Sequence, residues 1–115
     1  MNKQNKLVYI AHPVGGDVQN NIKKILLICR QIHLADNGLI PFAPYIVSLQ
    51  YLDDAVPAER ETGMKADWEY FKRKVMDELW LCGDRISDGM RLEIEQTQKY
   101  DIAIVCHNPE LKCLI

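Results

Sequence analysis

The segment DRISDGMRLEIEQ, Asp84 to Gln96, sets two aspartates, an arginine, a serine and a glycine directly ahead of a helical pattern that carries Glu93. Gly83 and Gly89 bracket the polar stretch, and Ser87, Asp88 and Gly89 are residue types that open helices, where the first backbone N–H groups lack partners. A helix opening there makes an anion cradle. The helix dipole and the free amides favour a phosphate, the Ser87 hydroxyl adds a hydrogen bond, and Arg85 or Arg91 adds charge. The plainer reading is that Ser87 or Asp88 only caps the helix. Glu93 lies four residues past Gly89 and three past Met90, so it shares a helix face with the loop, whereas Arg91 and Glu95 form an i,i+4 pair on another face. Beside a positive helix end its carboxylate is expected to stay ionised, and an ionised carboxylate in a cleft can attack a sugar carbon to form a glycosyl-enzyme intermediate. Taken alone, a glutamate in a helix is more often a solvated surface residue.

These groups need elements to hold them. Residues 7–11, LVYIA, form a short apolar run of β-formers that breaks at His12-Pro13 and Gly15-Gly16, as a buried strand does. Over residues 17–36, Val18, Ile22, Ile25, Leu26, Cys29 and Ile32 recur at helical spacing, with Asp17 as N-cap and Asn37-Gly38 as stop signal. Leu27 and Ile28 fall off that stripe, which suggests a helix that touches more than the sheet, such as a partner subunit. Residues 39–43 read as a second strand. The stretch PYIVSLQYLDDAVPAER, with prolines at 41, 44 and 57 in and around it, reads as an irregular loop over one end of the sheet. Residues 58–76 permit a helix with Gly63 as its weak point and Trp68, Phe71 and Val75 on one side. Residues 78–82 then give a third strand, 90–100 a third helix and 102–106 a fourth strand.

Strands alternating with helices predict an α/β fold with a parallel sheet, because each crossover returns the chain to the same end. We expect a single domain over residues 1–115, flavodoxin-like or Rossmann-like, with three layers and a short parallel sheet of four to five strands. In the flavodoxin-like order the first and third strands are neighbours at the topological switch point, where ligands bind outside the carboxyl ends. Those ends open onto HPVGG and GDRISDG, so the two glycine-rich loops should face each other.

Composition narrows the class. A chain of 115 residues with 48% hydrophobic and 26% charged residues is ordinary globular material. The net charge of −2 leaves no basic stripe, and Lys72, Arg73 and Lys74 read as a solvated helix face, so a nucleic-acid polymer is not the expected partner. No run resembles a signal peptide or a membrane span, which points to a cytoplasmic protein without a membrane partner. Cys29, Cys82, Cys106 and Cys113 show no CxxC pair, and His12, His33 and His107 are far apart, so reduced thiols and no metal or other cofactor are expected.

The order YIAHPVGG, a long helix, and then SDGMRLE directly after an apolar strand resembles the nucleoside 2-deoxyribosyltransferase superfamily, including its 2'-deoxynucleoside 5'-phosphate N-hydrolases. The likeness covers most of residues 7–106, and S-x-G-x-x-x-E is its specific motif. The resemblance implies that Glu93 is the nucleophile that attacks the anomeric carbon of a deoxyribosyl group and displaces the base. It implies that Asp67 orients and protonates the base, although its spacing differs by about a residue. Ser87, six residues before Glu93, matches a serine that contacts a 5'-phosphate in the N-hydrolases, where the transferases carry an aspartate for the 5'-hydroxyl. Together with Arg85 and Gly89 it would form the phosphate site. Tyr9 resembles the aromatic position of the first strand, and Gly15 and Gly16 resemble the glycine loop. His12 and Pro13 replace small residues there, His12 as a second acid, a phosphate donor or a structural loop residue. The family adds a strand and helix past the fourth strand, from which a residue completes a neighbouring subunit's site; Asn108 is the candidate substitute here. The implied activity is cleavage or transfer of the N-glycosidic bond of a 2'-deoxynucleotide by a homo-oligomer. The other reading is a nucleotide-binding module without turnover, used for sensing or sequestering.

Overall fold

The computed structural model describes residues 5–35 and 37–114, without the Cys113 side chain, so the expectations for Asp36 and for the Cys113 thiol lie outside it. The chain runs β1 (Lys6–Ala11), α1 (Val18–Leu34), β2 (Leu39–Phe42), α2 (Tyr45–Ser48), α3 (Pro57–Lys72), β3 (Glu78–Leu81), α4 (Asp88–Tyr100) and β4 (Ala103–Cys106), followed by a 3-10 helix (Pro109–Leu114). The four strands pair in the order β2-β1-β3-β4, all parallel, with Tyr9 opposite Phe42 on one side and Leu79 on the other. This is an α/β three-layer fold with the flavodoxin-like strand order, and β1 and β3 are adjacent at the point where the order reverses.

Handedness assigns the layers. The step from β1 to β2 moves one way across the sheet and the steps to β3 and β4 move the other way, so right-handed crossovers put α1 on one face and α3 and α4 on the opposite face. Side-chain alternation along β1 agrees. Val8 and Ile10 pack with Ile25, Ile32 and Cys82, whereas Tyr9 and Ala11 pack with Phe71, Leu79, Leu81, Met90 and Ile94. Residues Val8 to Ala11 are fully buried because helices cover both faces of the central strand.

Local chemistry explains the element ends. Asp17 caps α1, its Oδ1 accepting from the Asn20 amide at 3.4 Å. The 44–57 stretch holds more order than expected, because the single turn α2 sits inside it and α3 begins at Pro57, where a missing N–H costs nothing. Gly63 does not break α3: strong helix formers on both sides and the proline start outweigh its propensity cost of about 1 kcal/mol. Trp68 and Phe71 share a side, with ring centroids 5.8 Å apart, but α3 ends at Lys72 and Lys74 turns with φ 50°, so Val75 lies outside the helix. Lys72, Arg73 and Lys74 are exposed, and Arg73 pairs with Glu69 at 3.2 Å.

The phase of α1 differs from the expected stripe. Leu26 is 51% exposed and Leu27 55%, whereas Ile28 packs against the β1 core. The rotation of a helix about its axis is set by how it crosses the sheet, which the apolar pattern fixes only to within a residue. Cys29, Cys82 and Cys106 carry free thiols. Among the described residues no helix is long and apolar enough to cross a membrane.

Candidate functional site

The loops after β1 and β3 meet at Gly83. Its φ of 88° favours glycine, and a Cβ there would stand 2.8 Å from Pro13 Cδ and 3.2 Å from the His12 ring, so only glycine permits the approach. From the other side, Asn21 of α1 donates through Nδ2 to the carbonyls of Val14 at 2.9 Å and Gly15 at 3.4 Å, fixing the HPVGG loop. His12 is buried, with Nδ1 2.7 Å from the Pro13 carbonyl oxygen. A carbonyl can only accept, so Nδ1 carries the proton in that contact. Burial lowers the His12 pKa, leaving a neutral imidazole tied to its own loop. Of the readings for His12, this geometry favours the loop role over a charged phosphate donor. Asn108 is likewise engaged within its own chain: Nδ2 donates to the Gly83 carbonyl at 2.8 Å and Oδ1 accepts from the Glu110 amide at 3.1 Å.

Beyond these loops a cavity of about 470 Å³ opens between α2, α3 and the start of α4. Its lining brings together Asp67, Glu93, His12, Gly15, Arg85, Ser87 and Gly89 of the residues singled out from sequence. Gly16 does not line it, and Tyr9 lies fully buried beneath its floor. The alternation of β1 turns Tyr9 toward α3 and α4, and its hydroxyl donates to Asp67 Oδ2 at 3.4 Å. The ring packs against Phe71 at 5.0 Å and Tyr45 at 5.8 Å, and the Tyr45 hydroxyl donates to the Ile10 carbonyl. Tyr9 is thus pinned under the two carboxyls, with Tyr45 beside it in the cavity lining.

The carboxyls behave as an interacting pair, Glu93 buried and Asp67 half-buried. Burial pushes Asp67 up to about 7, against a lowering from the Tyr9 hydroxyl. Burial pushes Glu93 up to about 8; the Tyr9 hydroxyl again lowers it, and the nearby Asp67 charge raises it further. The expectation of an ionised Glu93 is therefore corrected. Glu93 is the sixth residue of α4, beyond the first turn in which the helix dipole acts, so desolvation wins over the positive helix end. Near pH 7 the pair keeps at least one proton, held more by Glu93 than by Asp67. Arg91 and Glu95 stand on the solvent side of α4, with no ion pair among the described residues.

Ser87 does cap α4. Its Oγ accepts from the Met90 amide at 3.2 Å, and its own amide meets Met90 Sδ at 3.5 Å. Capping uses the oxygen as acceptor and leaves the hydroxyl proton for a ligand, so the capping and cradle readings are compatible. Arg85 shares its charge with Asp84 at 3.5 Å. The opposite wall is made by α3, where Arg60, Gly63, Met64 and Trp68 line the cavity. The sequence does not single out Arg60, Met64 or Asn21, and it marks Gly63 and Trp68 only as helix residues. The signal lies in the i, i+3, i+4, i+7 spacing that puts Arg60, Gly63 and Met64 on one face with Asp67. Among the described residues no three His, Cys, Asp or Glu side chains converge as a metal-ligand group.

A family model described as a domain of unknown function, DUF7768, matches residues 6–107. The chain belongs to the DUF7768 family. The matched span of this DUF7768 domain contains all four strands and every residue that lines the cavity. No curated protein matches the chain.

Proposed function

We propose that the cavity cleaves or transfers the N-glycosidic bond of a 2'-deoxynucleoside 5'-monophosphate. The observation that carries this reading is the meeting of Asp67 and Glu93, from two helices, over the Tyr9 hydroxyl at the floor of a cavity large enough for a nucleotide. Such a bond needs a carboxylate to attack and an acid to protonate the departing base; Glu93 is the more basic of the two carboxyls, so the form that reacts is the minority one in which the shared proton sits on Asp67. An ionised Glu93 attacks the anomeric carbon, the C–N bond breaks with its electron pair going to the base, and Asp67 supplies the proton. Water then attacks the same carbon, gives its proton back to the pair and frees Glu93; a second base in place of water gives transfer. Ser87, Gly89 and the α4 amides hold the phosphate. The resemblance of SDGMRLE to the deoxyribosyltransferase superfamily supports the same assignment.

A non-catalytic nucleotide-binding module is the second reading, and one observation favours it. With a pKa of about 8, Glu93 is mostly protonated at rest, a form that donates a hydrogen bond to a ligand and does not attack. Incubation with the four common 2'-deoxynucleoside 5'-monophosphates, with free base followed by chromatography, separates the two. Base release that disappears in Glu93→Gln supports the glycosidic reading; saturable binding with no base released at stoichiometric protein concentration supports the module. Neither binding nor release overturns both. The exposed Leu26, Leu27 and Leu34 on α1 support a homo-oligomer, which sedimentation tests.

A further inference from the structure

We propose that Arg60 selects the charge of the ligand, so that the cavity takes a phosphorylated deoxynucleoside in preference to the free one; this rests on the function proposed above. The argument begins with direction. In this sheet α3 returns the chain from the carboxyl end of β2 to the amino end of β3, and α4 does the same between β3 and β4, so both helices start at the carboxyl edge and run the same way. Asp67 and Glu93 mark the common floor, joined through Tyr9. Arg60 is seven residues before Asp67 and Ser87 six before Glu93. At about 1.5 Å of rise per residue Arg60 and Ser87 stand roughly 10 Å along the helix axis from their floor residues, and both line the cavity, Arg60 at its solvent-exposed rim.

Charge at that level makes Arg60 decisive. Besides the two arginines the lining there includes the carboxylates of Asp54, Glu59 and Asp88. Glu59 is held by the Asp53 amide at 3.1 Å, and Arg85 is paired with Asp84. Arg60 makes no ion pair among the described residues, although Glu59 is its chain neighbour. An arginine that lines a cavity and leaves adjacent carboxylates unengaged is available to an anion, and its planar fork matches two phosphate oxygens. Without it, the rim opposite the Ser87 cradle would be carboxylates alone and would repel the group that the α4 amides attract. A deoxynucleoside, which is neutral, meets no such repulsion. Arg60 thus works as a specificity residue on one wall against the amides and hydroxyl of the other.

The test is calorimetric titration in the Glu93→Gln background, which prevents turnover, using whichever common 2'-deoxynucleoside 5'-monophosphate binds best and its own deoxynucleoside. Arg60→Ala should weaken nucleotide binding about tenfold to hundredfold relative to nucleoside binding, the range for a hydrogen bond to a charged group. Arg60→Lys should recover part of that ratio, and melting temperatures confirm folding. An equal loss for both ligands overturns charge selection while leaving the cavity's proposed function standing. If neither ligand binds before Arg60 is changed, the underlying reading fails and this one with it.

Discussion

The Tyr9 hydroxyl donates to Asp67 Oδ2 at 3.4 Å, joining the central strand of the sheet to α3 beneath the cavity. The same hydroxyl opposes the rise in pKa at Asp67 and at Glu93. Tyr9→Phe keeps the ring contacts and removes the donor. Both carboxyl pKa values should then rise, by about 0.5 to 1 pH unit for a bond worth about 1 kcal/mol. The acidic limb of any base-release profile should move to higher pH by that amount, and a pH–rate profile of the variant checks it. An unchanged limb would mean that neither carboxyl sets it.

Stability should fall as pH rises through neutrality. Asp67 is raised from 3.8 to about 7 and Glu93 from 4.5 to about 8, so between those limits the folded state binds more protons than the unfolded chain. Their contribution is complete below about pH 4 and is lost as pH passes through 7 and 8. The melting temperature should therefore decrease from pH 5 to pH 8.5. Glu93→Gln, which stays neutral, should remove part of that slope and melt several degrees above the unaltered chain at pH 8.5, but not at pH 5. Scanning calorimetry at the two pH values decides it.

How much of this was legible from residues alone depends on how local the cause is. The run LVYIA is apolar without alternation because both faces of β1 are covered, and ELWLC and IAIVC are short runs of the same kind although β4 is only half-buried; that pattern marks β1, β3 and β4 directly. Ser-Asp-Gly before an apolar pattern marks the start of α4 for the same local reason. The turn α2 has no periodicity to detect, since four residues do not define a face. The raised pKa of Glu93 was hidden for a different cause: whether a helical carboxyl is buried depends on which strand and helix pack over it, and the local dipole argument points the other way. The exchange of Leu26 and Ile28 between solvent and core likewise follows from the placement of α1 on the sheet.

Gly83→Ala should loosen the contact between the two loops. The φ of 88° and the 2.8 Å approach to Pro13 both oppose a Cβ, and strain of this kind costs about 1–3 kcal/mol. A fall in melting temperature of about 5 °C or more is expected. Because Gly83 also presents its carbonyl to Asn108, amide exchange should increase around residues 107–110 as well as in the 12–15 loop. Exchange measured by mass spectrometry tests whether the strain is shared in this way.

Ser87 carries two roles that one pair of substitutions can separate. Its oxygen caps α4, and Ser87→Ala should cost about 1 kcal/mol in stability through the lost acceptor for the Met90 amide. Aspartate caps helices as well as serine does, so Ser87→Asp should keep the melting temperature close to that of the unaltered chain. It also places a carboxylate where the proposed phosphate sits, so nucleotide affinity should fall at least about tenfold while the neutral deoxynucleoside loses less. Thermal melts, and titrations with both ligands, on the two variants separate the roles. If Ser87→Asp melts normally and binds the nucleotide as well as before, the amides of α4 do not face the anion, and the phosphate must be sought near Arg60 alone.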